Sequence, residues 1–129
     1  MNKAKKAVLI FCISAALVLA FLFILSAKTT NLNLPNDKII FYYGITCPHC
    51  KLVEDYMENN SIESILPIVK KEVYLNQTNA DELLAIGKKF NLPQEEIGAV
   101  PLAYYNGQYY IGDEPVINFL KQKAKEVAP

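Results

Sequence analysis

The chain has 129 residues, 52% of which are apolar, and its 13 lysines are balanced by 13 acidic residues. This length fits one small domain and excludes two domains of ordinary size. The chain has no arginine, and its lysines do not form the clustered stripe that releases counterions from phosphates. The composition therefore argues against nucleic acid as a partner.

An uncharged segment of 21 residues, 7–27, predicts a membrane-spanning helix. At ~1.5 Å per residue a helix of this length covers ~30 Å, the thickness of a bilayer's hydrocarbon core. We interpret residues 1–27 as an N-terminal anchor, with a cleaved secretory signal as the alternative. Lys3, Lys5 and Lys6 precede the segment whereas only Lys28 closely follows it. This asymmetry predicts a single-pass protein of the cytoplasmic membrane whose C-terminal domain lies on the extracytoplasmic side.

Residues 28–37 have neither helical nor strand periodicity and predict a linker to a domain at 38–129. Residues 62–67 fit either a continued helix or a loop. The predicted elements are a strand at 38–43, a helix at 47–59, a strand at 69–75, a helix at 79–90, strands at 101–105 and 108–111, and a last helix from 113. This βαβαββα order indicates an α/β domain with a mixed four-stranded sheet flanked by helices, preceded by one transmembrane helix.

Local signals mark the boundaries of three of these elements. Asn79, followed three residues later by Glu82, predicts a capping box at the start of the second helix. Asn106-Gly107 accepts the positive φ angles of a type I′ turn and so predicts a hairpin. Asp113, with Pro115 two residues later, predicts the start of the last helix.

Cys47-Pro48-His49-Cys50, at the predicted start of the first helix of the domain, is the motif that points to chemistry. Free backbone N–H groups and the helix dipole favour a thiolate at Cys47, which we expect to be an exposed nucleophile. Pro48 suits a first turn because it has no N–H to satisfy. Cys50 is expected to be the buried resolving thiol, and His49 to donate a hydrogen bond or a positive charge toward the Cys47 sulfur. Stabilising that thiolate makes the disulfide more oxidising.

Three other uses of the two cysteines fit the sequence less well. Haem attachment requires a histidine directly after the second cysteine, and Lys51 stands there. A zinc site or an iron–sulfur cluster requires two chains to share ligands, because outside the segment that holds Cys12 one chain offers only Cys47, Cys50 and His49. A purely structural disulfide between adjacent turns constrains the unfolded chain little. The expected redox group is the Cys47–Cys50 disulfide, with no separate cofactor and no metal.

Residues 38–128 resemble the thioredoxin superfamily. The resemblance is carried by the strand 39–43 before the Cys-x-x-Cys motif, the Val100-Pro101 step, the Asn106-Gly107 hairpin and Ile111-Gly112-Asp113 before the last helix. It implies a thioredoxin-like fold. It also implies that Pro101, which by itself fits an ordinary trans proline at a strand start, is the family's cis-proline beside the cysteines. The backbone of Val100 would then pair with an extended substrate segment.

Two branches of the superfamily share features with the chain. The compact order of elements resembles glutaredoxins, but Asp113 replaces the second glycine with which those proteins hold glutathione. Pro-His between the cysteines resembles the oxidising DsbA-type proteins, but residues 75–100 are too few for their inserted helical domain. Thioredoxins and DsbA-type proteins have a buried acid six residues before the nucleophile, where this chain has Phe41. Glu54 or water is left as the proton acceptor for the buried cysteine.

The motif and the resemblance together predict a membrane-tethered, extracytoplasmic thiol–disulfide oxidoreductase that donates disulfides to exported proteins. The expected partners are the thiols and disulfides of those proteins and a membrane thiol oxidase that restores the enzyme's disulfide. A tethered reductase of the cytochrome-maturation type, supplied by a transmembrane thiol carrier, is the alternative for the same site. A non-enzymatic metal-binding or adaptor domain is the third possibility.

Overall fold

The computed structural model describes residues 2–25 and 32–127. The chain divides into two compact units, with the boundary between Asn31 and Leu32. The last residues of the predicted anchor and the first residues of the predicted linker, 26–31, lie outside the described residues.

The first unit contains one helix, α1 (Lys3–Leu25). Residues Lys3–Leu22 are long enough and apolar enough to cross a membrane. Apolar side chains such as Val8, Ile10 and Ile13 are exposed on different sides of the helix. The predicted N-terminal apolar helix is confirmed.

The second unit is a mixed four-stranded sheet with helices on both faces. Its elements are β1 (Ile39–Tyr43), α2 (Pro48–Asn59), α3 (Ile62–Ile65), β2 (Ile68–Glu72), α4 (Gln77–Lys89), β3 (Leu102–Tyr105), β4 (Gln108–Ile111) and α5 (Asp113–Val127). The strand order is β2-β1-β3-β4, with β1 parallel to β2 and the other two pairs antiparallel. The predicted fold class is confirmed, and the undecided segment 62–67 contains the short helix α3.

Strand β1 lies in the middle of the fold because its side chains are apolar on both faces. Ile39 and Phe41 belong to a core cluster with side chains of α2 and α5. Ile40 and Tyr42 belong to a second cluster with side chains of α4. Successive residues of a strand point to opposite faces, so an uninterrupted apolar run is what a strand covered on both sides requires. The loop that leads to the cysteines thus begins at a strand that is buried on both faces.

The predicted hairpin turn is present between β3 and β4. Asn106 has a φ angle of 45° and Gly107 a φ angle of 81°. Positive φ angles at both central residues are what a type I′ turn requires. The turn brings Tyr105 opposite Gln108 in the strand register.

The predicted capping box at Asn79 is wrong, because α4 begins earlier. The backbone of Asn76 is extended, and its side chain accepts a hydrogen bond of 3.1 Å from the N–H of Asn79 and so caps the helix. The Asn79 side chain instead donates to the carbonyl of Glu72 at 2.8 Å. Glu82 accepts a hydrogen bond from the buried Tyr42 hydroxyl rather than bonding at the helix start.

The predicted linker, 28–37, overlaps the folded unit. Leu32 and Leu34 pack against the cluster between the sheet and α4. Burying these two leucines removes apolar surface from water, so the described part of the segment is held by the domain.

Two valines of α5 provide a matched test of the core. Val116 is fully buried in the cluster formed with α2 and the sheet, whereas Val127 is 58% exposed. We expect Val116→Ala to lower the free energy of unfolding by about 2 kcal/mol, because it removes buried apolar groups and leaves a cavity. Val127→Ala should change it by less than about 0.5 kcal/mol. Denaturant unfolding of the full chain in detergent, followed by circular dichroism, measures both, and equal losses would contradict this packing.

Candidate active site

The cysteine motif stands where β1 passes into α2. A loop of three residues, 44–46, follows β1, and the N–H of Cys47 donates to the carbonyl of Gly44 at 3.0 Å. Pro48 occupies the first position of α2, where a residue without an N–H leaves no donor unsatisfied. The predicted position of Pro48 therefore matches the structure.

The Cys47 sulfur caps the N-terminus of α2. Cys47 has an extended backbone (φ −81°, ψ 114°), and its Sγ accepts the N–H of Cys50 at 3.2 Å. A backbone N–H that has no acceptor within the helix stabilises negative charge at this position, and so does the positive end of the helix dipole. Cys47 is only 8% exposed, which differs from the exposed nucleophile expected from the sequence.

Cys50 lies one turn further along α2 and has no exposed surface. The N–H of Gly44 points to its Sγ at 3.5 Å. The pKa of the Cys50 thiol is raised to about 12, chiefly by burial and then by its hydrogen bond with Cys47, while the Gly44 N–H acts in the opposite direction. Both cysteines are free thiols. The two sulfurs thus differ sharply: one is held at a helix terminus and the other is kept protonated in the interior.

His49 does not contact the Cys47 sulfur as the sequence suggested. Its ring is exposed, and Nδ1 lies 3.1 Å from Oδ2 of Asp113 at the start of α5. The hydrogen bond with His49 is the main reason why the pKa of the Asp113 carboxyl lies below its usual range. The backbone of α2 directs this side chain toward α5, where a carboxylate is the stronger partner for an imidazole.

The Val100–Pro101 peptide bond is cis, the geometry that the resemblance implied. The carbonyl oxygen of Val100 lies 3.9 Å from the Cys47 sulfur. The carbonyl of Pro101 accepts the N–H of Gly112 at 2.9 Å, which ties this segment to the start of α5. Val100 and Pro101 are therefore brought to the cysteines from a distant part of the chain.

The position six residues before Cys47 is apolar, as noted from the sequence. Phe41 is buried in the core, so that strand offers no carboxylate beside Cys50. Glu54 is partly buried on α2 and forms an ion pair of 2.7 Å with Lys70 of β2. The charge of Glu54 nevertheless contributes to the raised pKa of Cys50, so its carboxylate stands close enough to influence the thiol.

Sequence reasoning missed Tyr74, which follows β2. Its ring packs directly on Gly44, where even a methyl group would overlap the ring carbons. The alternation at 69–75 predicts a strand that includes Tyr74, and no local pattern distinguishes a strand tyrosine from one whose ring contacts another loop. Nothing in the sequence signals this contact, because it joins residues thirty positions apart.

Glu72 was also missed. Its carboxylate accepts backbone N–H groups from Tyr74 at 2.7 Å, Leu75 at 2.8 Å and Ile45 at 3.3 Å. Burial acts to raise the pKa of this carboxyl, but the backbone donors outweigh it and hold the pKa below its usual value. The Glu72 side chain thus connects the loop after β2 to the loop that precedes Cys47.

Within residues 2–25 and 32–127, no group of three or more His, Cys, Asp and Glu side chains is arranged to hold a metal ion. The backbone N–H groups of Gly44 and Cys50 point to the sulfurs of Cys50 and Cys47 respectively. Such donors stabilise sulfur charge without a metal.

No protein-family model and no curated protein matches the chain. Oxidised glutaredoxin 2 from Chlamydomonas reinhardtii is similar in structure, with 22% identity, a TM-score of 0.43, and 69% of this chain and 76% of that chain covered. The reduced thioredoxin pre-protein of Schistosoma mansoni has 20% identity and a TM-score of 0.41, with 72% and 82% covered. Thioredoxin from Malassezia sympodialis has 20% identity and a TM-score of 0.38, with 71% and 76% covered. At such identities and TM-scores no activity is transferred to this chain.

The contrast between the two thiols predicts selective alkylation. A thiol with a pKa of about 12 is ionised to about one part in 10⁵ at pH 7. We expect Cys50 in the Cys47→Ser variant, where burial still raises the pKa of the thiol, to react with iodoacetamide more than about tenfold more slowly than free cysteine. The matched Cys50→Ser variant reports Cys47, and Cys12→Ser in both removes the third thiol. Mass spectrometry measures the rates, and a Cys50 that reacts like free cysteine would rule out the buried thiol.

Proposed function

We propose that this chain is a membrane-tethered, extracytoplasmic thiol–disulfide oxidoreductase whose active centre is the Cys47–Cys50 pair. The observation that carries the proposal is the hydrogen bond of 3.2 Å from the Cys50 N–H to the Cys47 sulfur at the start of α2. This hydrogen bond joins the sulfur at the helix terminus to the residue that carries the buried thiol. A reversible disulfide needs this arrangement, because the first sulfur must accept and release a substrate while the second closes the ring.

In disulfide donation the enzyme begins with a Cys47–Cys50 bond. A substrate thiolate attacks the Cys47 sulfur, and Cys50 leaves with the bonding electrons and takes up a proton. A second substrate thiolate then attacks the first substrate sulfur and displaces Cys47 as a thiolate. The substrate gains a disulfide and loses two electrons, which the enzyme's cysteines hold until a membrane thiol oxidase removes them.

The different environments of the two sulfurs favour donation. A sulfur stabilised as a thiolate is the better leaving group, so release of Cys47 in the second step is favoured. The raised pKa of Cys50 keeps that thiol protonated at neutral pH, which slows its attack on the mixed disulfide. The mixed disulfide then persists long enough for the second substrate thiol to react. Water supplies the proton that Cys50 takes up in the first step, and water or the carboxylate of Glu54 accepts it when the enzyme's disulfide forms again.

Val100 and Pro101 are the proposed substrate-binding residues. The Val100 carbonyl lies beside the Cys47 sulfur, so an extended substrate segment aligned with residue 100 would bring its own sulfur to the nucleophile. Backbone pairing of this kind is indifferent to the substrate's side chains, which suits an enzyme that acts on many exported proteins.

The proposed location follows from α1 and its flanking charges. A helix long enough to span a bilayer and preceded by Lys3, Lys5 and Lys6 favours a cytoplasmic N-terminus. The domain would then act outside the cytoplasm, where disulfides persist. We propose that α1 remains as an anchor and holds the site near a membrane-bound redox partner.

One observation favours the reverse direction as a second candidate. The ring of His49 faces Asp113 rather than Cys47, so it forms no hydrogen bond that would stabilise the Cys47 thiolate and make the disulfide more oxidising. A tethered reductase that receives electrons from a transmembrane thiol carrier would use the same two cysteines. The two directions differ in the redox potential of the pair.

Trapping of substrates tests the proposed function. We expect Cys50→Ser to accumulate mixed disulfides with exported proteins, because the Cys47 thiolate still attacks their disulfides and no Cys50 thiol is present to displace the bound substrate sulfur. Cys47→Ser should form none, and Cys12→Ser should behave like the natural chain. Non-reducing gels of native membranes show the adducts. Adducts that persist in Cys47→Ser would refute the assignment of the nucleophile.

A separate comparison distinguishes an enzyme from a metal-binding or adaptor domain. The purified chain is assayed for insulin reduction and for refolding of a scrambled substrate, and it is titrated with zinc and with copper. Turnover that depends on Cys47 supports the enzyme. Metal binding through Cys47 and Cys50 without turnover supports the other class.

A further inference from the structure

The low exposure of Cys47 requires a group that covers its sulfur. Although Cys47 begins a surface helix, it is 8% exposed. Tyr74 lies in the loop between β2 and α4, and its ring packs on Gly44 so closely that a Cβ there would overlap the ring. Gly44 in turn bonds to both cysteines, since its carbonyl accepts the Cys47 N–H and its N–H points to the Cys50 sulfur. The phenol ring therefore packs on a residue whose backbone groups point to both cysteines.

The position of Tyr74 is fixed by its backbone rather than by the core. The carboxylate of Glu72 accepts the N–H of Tyr74 at 2.7 Å and, from the loop before Cys47, the N–H of Ile45 at 3.3 Å. Hydrogen bonds to a carboxylate are stronger than those between neutral groups, so Glu72 holds the loop after β2 close to the loop before Cys47. Tyr74 itself is 53% exposed, so a substrate can displace its ring without opening the core.

We propose that the Tyr74 hydroxyl is a second hydrogen-bond donor to the Cys47 sulfur and stabilises its thiolate in the reduced enzyme. Burial raises the pKa of the phenol, and the charges of Cys47 and Cys50 and a hydrogen bond with Cys47 act in the same direction. The hydroxyl therefore keeps its proton and remains a donor when Cys47 is ionised. The inference rests on the proposed function, since it assigns to Tyr74 the role that the sequence suggested for His49.

The consequence is a change in redox equilibrium. A donor that bonds to the thiolate but has no charge to bond in the disulfide stabilises the reduced form, and so makes the disulfide more oxidising. A hydrogen bond to a charged group commonly changes an equilibrium by tenfold or more. An aromatic ring that only packed against the loop would change stability and leave this equilibrium unaltered.

Tyr74→Phe tests the hydroxyl alone, because the ring can remain on Gly44. We expect the equilibrium of the full chain with glutathione to shift about tenfold toward the disulfide, which corresponds to a potential about 30 mV more negative. The thiolate absorbance of the reduced chain at neutral pH should fall as well. Tyr109→Phe, which removes a phenol hydroxyl from β4, is the matched control and should change neither value.

Gly44→Ala tests the contact from the other side. Gly44 does not have a positive φ angle, so alanine fits the backbone, but its methyl group displaces the Tyr74 ring. We expect a shift in the same direction as Tyr74→Phe, and no further shift when both substitutions are combined. A combined effect equal to the sum of the two would overturn the proposed contact.

The outcomes separate this inference from the proposed function. If Tyr74→Phe matches Tyr109→Phe in both the glutathione equilibrium and the thiolate absorbance, the hydroxyl has no role at the sulfur. If the natural chain forms no disulfide with glutathione present, the proposed function fails. The thiolate absorbance still decides the role of Tyr74 in that case, because it does not depend on disulfide exchange.

Discussion

The hydrogen bond from the Cys50 N–H to the Cys47 sulfur is the interaction on which the site depends. It caps α2 with a sulfur instead of an oxygen, so the group that begins the helix is also the group that reacts. The same turn that supplies the donor carries the Cys50 thiol into the interior. Helix formation at this point therefore puts one sulfur at the helix terminus and the other in the interior, where burial raises the pKa of its thiol.

The rest of the fold holds this turn in place. Strand β1 is covered on both faces, which gives the short loop to α2 a rigid start. The Glu72 carboxylate accepts the N–H of Ile45 and so connects the loop after β2 to the loop before Cys47. The segment that contains the cis Pro101 brings the Val100 carbonyl oxygen to within 3.9 Å of the Cys47 sulfur. The reactive sulfur is thus enclosed by three segments that are distant in sequence, which explains why it is less exposed than a helix start would suggest.

The sequence predicted features that depend on neighbouring residues, such as the apolar run of β1, the Asn106-Gly107 turn and the Cys-x-x-Cys motif at a helix start. It failed where two local signals competed, as at α4, where Asn76 rather than Asn79 caps the helix. It also failed where a side chain finds a distant partner, since His49 and Asp113 are 64 residues apart. Such pairings are set by how the helices pack, and no local pattern encodes them.

A redox titration of the full chain in glutathione buffers tests the central claim most directly. Free thiols are blocked at each ratio, and mass spectrometry identifies which cysteines are joined. A thiolate stabilised at the start of α2 predicts that Cys47 and Cys50 oxidise together in one two-electron step, at a potential more oxidising than the approximately −270 mV of thioredoxin. Cysteines that do not pair with each other, or a pair with a potential at or below that of thioredoxin, would contradict it.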